Sequence, residues 1–142
     1  MERKEFIKTC GFACLGGLLA SSVLEGCAGS KMIAGTIENS DLVVPENAFL
    51  SGGANKPYVV VQHESLKYPI CVYRTSATEY TALLMRCTHQ GAELQVFGDR
   101  LECPAHGSQF DNTGQVKNGP ADTNLRKFPV TVQNQQIHIS LK

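Results

Sequence analysis

Cys87-Thr88-His89 and Cys103-Pro104-Ala105-His106, with thirteen residues between them, each offer one thiol and one imidazole. Thiolate is a soft ligand and neutral imidazole a borderline one. The four side chains therefore suit zinc or iron–sulfur rather than calcium or magnesium. Cys87 follows the apolar run Tyr80–Arg86, and Cys103 follows Arg100–Glu102. Between them Gly98-Asp99 marks a turn, so the intervening segment folds back as a hairpin and brings both ligand pairs to one end of a sheet. Gly91 and Gly107 come just after the two histidines, where a tight loop needs a positive φ or close backbone approach.

The surrounding chain reads as β structure. Leu42–Val44, Tyr58–Gln62, Ile70–Arg74, Tyr80–Arg86, Leu94–Phe97, Arg100–Glu102, Phe128–Gln133 and Ile137–Leu141 are short and rich in β-branched, aromatic or other apolar residues. Turn formers such as Ser51-Gly52-Gly53, Phe97-Gly98-Asp99 and Asp111-Asn112-Thr113-Gly114 separate several of them. The last two runs, joined by Asn134-Gln135-Gln136, predict a C-terminal hairpin. No helical stripe follows residue 27. The expected fold is all-β, an antiparallel multi-sheet domain over residues 41–142.

A Cys2His2 set satisfies tetrahedral zinc in full, but zinc ribbons and fingers usually open with paired cysteines. Mixed pairs suit a two-iron cluster. If one iron takes both thiolates and the other both imidazoles, two ferric ions, two sulfides and two thiolates sum to zero charge. Adding an electron to a neutral centre costs less than adding it to a four-thiolate cluster. The potential then lies at roughly −150 to +300 mV, against about −400 mV for plant-type ferredoxins.

Over residues 41–142 the chain resembles a Rieske iron–sulfur protein. The match rests on Cys87-Thr-His89-Gln-Gly91, on Cys103-Pro-Ala-His106-Gly107-Ser108-Gln-Phe110-Asp111, and on Gly119-Pro120-Ala121. The resemblance implies one [2Fe-2S] cluster, with Cys87 and Cys103 on the buried iron and His89 and His106 on the outer one. Gly91, Gly107, Ser108 and Pro120 would surround it. The outer imidazole nitrogens would face solvent or a partner, which allows reduction to couple to imidazole protonation. Rieske subunits of cytochrome bc complexes carry a further cysteine in each loop, joined as a disulfide. Ala92 and Ala105 stand at those positions, so the loops must be held by backbone hydrogen bonds and by packing against Pro120. Ser108 matches a serine that donates to a cluster sulfide, whereas Phe110 replaces a tyrosine that donates to a cysteine sulfur. One donor fewer predicts a potential below that of the respiratory proteins.

The first residues read as an address. Arg3, Lys4 and Lys8 precede the uncharged run 10–24, CGFACLGGLLASSVL, too short for a membrane span of about 20 residues and typical of an export signal. Arg3-Lys4-Glu5-Phe6-Ile7-Lys8 resembles a twin-arginine signal with Lys4 in the second arginine's place. Leu24-Glu25-Gly26-Cys27 resembles a lipoprotein cleavage box, with Glu25 atypical and Cys27 as the lipidated residue. Residues 1–26 are thus expected to be a signal peptide and 27–40 a small, polar tether. The protein would be exported and held at a membrane surface or in the periplasm.

The 13 basic and 13 acidic residues balance, so nothing argues for a nucleic-acid partner. With Cys10, Cys14 and Cys27 in the address segment and Cys87 and Cys103 in the motifs, Cys71 reads as a buried free thiol rather than part of a disulfide framework. His63 and His138 lie in or beside strands and read as ordinary strand histidines. Lys67 and Arg126-Lys127 read as solvated surface, and Asp111 as a turn cap. The implied function is single-electron transfer between membrane or periplasmic redox partners, without a catalytic site of its own. A subunit of a quinol-oxidising complex or of a larger oxidoreductase is the nearest alternative. The ferredoxin of a ring-hydroxylating oxygenase is disfavoured by the export signal. A structural zinc module is the alternative of another kind.

Overall fold

The computed structural model describes residues 32–51 and 53–142. The expected signal peptide, with Cys27 and the first five residues of the expected tether, 27–31, lies outside them. Fifteen short strands follow one another: β1 Ile33–Ala34, β2 Thr36–Glu38, β3 Asp41–Pro45, β4 Leu50–Ser51, β5 Ala54–Asn55, β6 Tyr58–Gln62, β7 Ile70–Arg74, β8 Tyr80–Leu84, β9 Gln95–Phe97, β10 Arg100–Glu102, β11 Gln109–Asp111, β12 Val116–Asn118, β13 Lys127–Phe128, β14 Val130–Gln133 and β15 Gln136–Ser140. A single 3-10 turn, Glu46–Phe49, interrupts them.

Three sheets stack. The central one runs β1-β6-β7-β8-β13, flanked by β14-β15-β3-β2 and by β12-β11-β10-β9, with β4 and β5 as a separate hairpin. Neighbours pair antiparallel except β1 with β6. The central strands are covered on both faces, which is why YVVVQ and ICVYR read as continuous apolar runs rather than alternating ones. Period-two alternation sends their side chains to different cores. Val59, Val61, Ile70, Val72 and Ala82 pack with Leu42, Val44, Ile137 and Ile139. Val60, Cys71, Tyr73 and Leu83 pack on the other side with Cys87, Leu101, Cys103 and Phe110. The second core ties the ligand loops to the centre of the molecule.

The structure moves several expected boundaries. Part of the stretch read as tether is strand: β1 joins the edge of the central sheet, and β2 forms a hairpin with β3 through Asn39 and Ser40. The run Phe128–Gln133 is two strands in two sheets. Phe128 pairs with Ala82 in the central sheet, and Val130 pairs with Ile139 in the outer one. Pro129 sits at the break, where its missing N–H cannot continue a ladder. Tyr80–Arg86 ends its ladder at Leu84, and Arg86 forms only an isolated bridge with Glu93. β4, β5, β11 and β12 are too short and polar to stand out in the sequence.

Asp111 caps the β11–β12 turn as expected. Its Oδ1 accepts from the Thr113 N–H (2.9 Å), the Thr113 hydroxyl (2.6 Å) and the Gln115 N–H (3.1 Å), while Lys117 Nζ lies 3.1 Å from Oδ2. Burial pushes its pKa up, but the Thr113 hydroxyl, Lys117 and the two amides outweigh that and lower it from 3.8 to about 2. A carboxyl depressed on folding adds stability above its unfolded pKa and loses it as pH falls through the folded one. The stability gap between the parent and Asp111→Asn should therefore be constant above pH 4 and close between about pH 4 and 2, as denaturation at stepped pH would show.

The C-terminal hairpin has a two-residue loop, with Asn134 at φ 50° and Gln135 at φ 61°. This left-handed pair matches the twist of the flanking strands, but glutamine is a poor occupant where Asn-Gly is preferred. Gln135→Gly should stabilise the protein by about 0.5 kcal/mol, the relieved strain being partly offset by a freer unfolded chain. The chemical-denaturation midpoint measures it.

Candidate metal centre

Both ligand loops close by the same hydrogen bonds. In the first, the Cys87 N–H donates to the Ala92 carbonyl at 2.8 Å and the Gly91 N–H donates back to the Cys87 carbonyl at 2.9 Å. In the second, Cys103 N–H donates to Ser108 (2.8 Å) and Gly107 N–H to Cys103 (3.0 Å). Each loop thus places a glycine four residues after its cysteine, at φ 79° for Gly91 and 80° for Gly107. A Cβ at Gly107 would meet nothing within 4 Å, so its role is conformational rather than steric. The first loop stands on a stem closed by Leu94 N–H to Met85 carbonyl (3.1 Å), and the second spans the Glu102–Gln109 pair of β10 and β11. The hairpin at Gly98-Asp99 brings the loops together, as the spacing predicted.

Cys87 and Cys103 are buried in the core beneath the loops, whereas His89 and His106 are exposed. The two imidazoles meet edge to face, with ring centroids 4.9 Å apart and planes at 89°. The two cysteines are likewise adjacent. Burial alone would push the Cys103 thiol up, yet its pKa lies below the ordinary value. The backbone N–H groups of His106 and Ala105 and the Cys87 thiol, all directed at its sulfur, prevail. That is an environment for thiolate. The loops thus present a buried thiol pair and an exposed imidazole pair.

Ser108 is fully buried, and its Oγ accepts the Ala121 N–H at 3.0 Å. Its hydroxyl proton remains available to a second acceptor. Thr88 Oγ1 donates to the Thr123 carbonyl (2.6 Å), and Asn118 Nδ2 donates to the Gly107 carbonyl (3.3 Å). The segment after Pro120 therefore ties to both loops through Ala121 and Thr123, while Pro120 itself is exposed. Backbone hydrogen bonds hold the loops, as expected, and side-chain hydrogen bonds involving Ala121, Thr123 and Gly107 add to them. Phe110 is fully buried in the core and carries no hydroxyl. Cys71 is free and buried, its thiol pushed up to about 12 by desolvation despite a contact with Tyr73. His63 bonds Ser65 (2.7 Å), and His138 lies 3.8 Å from Asp41, both away from the ligand loops in sequence and in pairing. Thr88, Asn118 and Thr123 escaped the sequence reading because short polar side chains bonding to distant carbonyls leave no periodic or spacing signal.

The Rieske [2Fe-2S] domain model matches residues 42–129. The cytochrome b6-f complex iron-sulfur subunit of Synechococcus sp. (strain CC9605) is 39% identical over 56 residues, 38% of this chain and 32% of that one. The subunit of the same name from Trichodesmium erythraeum (strain IMS101) is 27% identical over 153 residues, covering 96% of this chain and 83% of that one. In the shorter match the shared stretch spans about a third of the relative. The solved plasma membrane Rieske protein PetC3 from Synechocystis PCC 6803 superposes with a TM-score of 0.52 at 26% identity, covering 60% of this chain and 87% of that one. The chain belongs to the Rieske [2Fe-2S] domain family. Its cofactor is one [2Fe-2S] cluster.

Ser108→Ala would strip the buried Ala121 N–H of its acceptor, a loss of about 1–3 kcal/mol. Thermal denaturation of the cluster-loaded protein should show a lowered midpoint, with Ser108→Thr retaining most of the stability because the oxygen is kept.

Proposed function

We propose that Cys87 and Cys103 hold one iron of the cluster and His89 and His106 the other, and that the protein passes single electrons between redox partners at a membrane. The observation that carries this reading is the segregation of the site. Two adjacent thiols are buried, one of them receiving backbone N–H groups at its sulfur, and two adjacent imidazoles are exposed. The thiols suit an iron sealed in the core, and the imidazoles suit one reached by a partner. In this reading the exposed edge of His89 and His106, rimmed by Gln90, Gly91, Ala105 and Pro120, is the docking face, with Gly107 and Ser108 around the cluster.

A cytochrome complex as partner is favoured by the relatives, two of which are named as subunits of cytochrome b6-f complexes. In this reading the chain serves either as the Rieske subunit of such a quinol-oxidising assembly or as a separate carrier feeding one. Export with residues 1–26 as signal and a lipid on Cys27 would hold it at the membrane. The basic start and the uncharged run 10–24 support export, and the plasma membrane Rieske protein supports membrane association. Because β1 begins at Ile33, the tether from Cys27 would be only a few residues long, which keeps the domain close to the bilayer.

The reduced protein should contain iron and acid-labile sulfide in the ratio of a [2Fe-2S] cluster and give the electron spin resonance of a mixed His/Cys centre, with a midpoint potential below that of the respiratory Rieske proteins. Cys103→Ser should lose both iron and sulfide. Zinc without iron, or a Cys103→Ser protein that keeps a full cluster, would overturn the ligand assignment. Mass spectrometry of the mature N-terminus tests the lipid on Cys27.

A further inference from the structure

Tyr68 lies outside every ligand motif, in the turn between β6 and β7, yet its phenol reaches the first ligand loop. Its hydroxyl donates to the Gly91 carbonyl at 2.8 Å. The turn that carries it is fixed: the next residue, Pro69, is buried and accepts the Met85 N–H at 3.0 Å, two residues before Cys87. The ring is half-buried, with the Arg86 guanidinium 5.9 Å and Lys67 Nζ 5.6 Å from its centroid. Gly91 fits beneath this group because it has no side chain; a Cβ there would stand 3.2 Å from Arg86 Nε and 3.6 Å from the Tyr68 hydroxyl.

A trans peptide points its C=O and its N–H to opposite sides. Holding the Gly91 carbonyl toward Tyr68 turns the Ala92 N–H the other way. That N–H donates to no backbone carbonyl among the described residues, although the Ala92 carbonyl itself takes the Cys87 N–H. We propose that Tyr68 is a positioning residue of the metal centre: it locks the Gly91–Ala92 peptide so that the Ala92 amide is presented to the cluster sulfur beside Cys87. The inference rests on the ligand assignment above. A donor to sulfur stabilises the reduced, more negative state and raises the potential. Tyr68 thereby acts on the potential through one peptide plane without touching a ligand.

The test compares the cluster-loaded parent with Tyr68→Phe by redox titration and by hyperfine spectroscopy of the reduced centre after exchange into heavy water. Removing the hydroxyl should shift the reduction equilibrium several-fold toward the oxidised form, a tenfold shift being about 59 mV for one electron. It should also change one exchangeable proton coupling at the cluster. A loaded Tyr68→Phe protein with parental potential and couplings overturns the proposal, and a purely structural role predicts that result together with a lowered melting temperature. If Tyr68→Phe fails to load, 3-fluorotyrosine placed at position 68 keeps the ring and strengthens the donor. The potential should then rise, and an unchanged value overturns the proposal. Absence of iron and sulfide from the parent protein would instead overturn the ligand assignment.

Discussion

Burying two thiols side by side while keeping two imidazoles wet is the constraint around which the molecule is arranged. A thiolate is costly in an apolar core unless donors or a metal compensate it. Around Cys103 the donors are backbone amides of its own loop, and those amides point inward because the loop turns back at Gly107. The two loops can face each other only if a rigid layer lies beneath them. The central sheet supplies it, with Val60, Cys71, Tyr73 and Leu83 forming the floor on which Cys87 and Cys103 rest. The second outer sheet, built on Leu42, Val44, Ile137 and Ile139, stabilises that floor from behind.

With alanine at positions 92 and 105, the loops are held by distributed means. Thr88 to Thr123, Ser108 to Ala121, Asn118 to Gly107 and Tyr68 to Gly91 each tie a loop to a neighbouring segment. A net hydrogen bond contributes about 1 kcal/mol, and a disulfide typically 2–4 kcal/mol, so four such bonds are of comparable size. The two solutions differ in kind. A covalent bridge constrains the unfolded chain, whereas hydrogen bonds act only once the loops are in place, and they are indifferent to the thiol–disulfide balance of the compartment. Two of the four donate to a loop carbonyl, at Gly107 and Gly91; the Thr88 hydroxyl donates out of its loop to the Thr123 carbonyl, and the Ser108 hydroxyl receives the Ala121 amide. The first two fix the orientation of loop peptides as well as their distance.

The cluster motifs were legible because ligand chemistry fixes both residue type and spacing. The turn at Gly98-Asp99, the positive φ of Gly91 and Gly107 and the meeting of the two motif loops could all be read from the chain alone. The central strands were legible to the residue at Tyr58–Gln62 and Ile70–Arg74, where burial on both faces demands an unbroken apolar run. The strands that follow the second ligand loop are less so. Gln109–Asp111 and Val116–Asn118 are short and half-exposed, and their pairing is imposed by neighbours rather than by their own pattern. The same holds for Thr36–Glu38, exposed throughout and strand only because Asp41–Pro45 offers it an edge. Phe128–Gln133 reads as one strand because the change of sheet at Pro129 is a tertiary fact. Tyr68 and Thr88 were invisible for a related reason: each acts on a carbonyl remote in sequence.

The potential of such a centre follows from the balance of charge and donors around it. With the proposed ligands, two thiolates and two neutral imidazoles, the oxidised cluster would carry no net charge, so the protein's influence would lie in how well it solvates the single negative charge that reduction adds. Here the amides of Ala105 and His106 reach the Cys103 sulfur, and the Ser108 hydroxyl retains a free proton after accepting from Ala121. Phe110 occupies the neighbouring core position with an apolar ring. That ring improves the packing of the floor and withholds a donor from it. Stability and potential are therefore traded at one buried site, with the aromatic ring serving the core and the loop amides serving the electron.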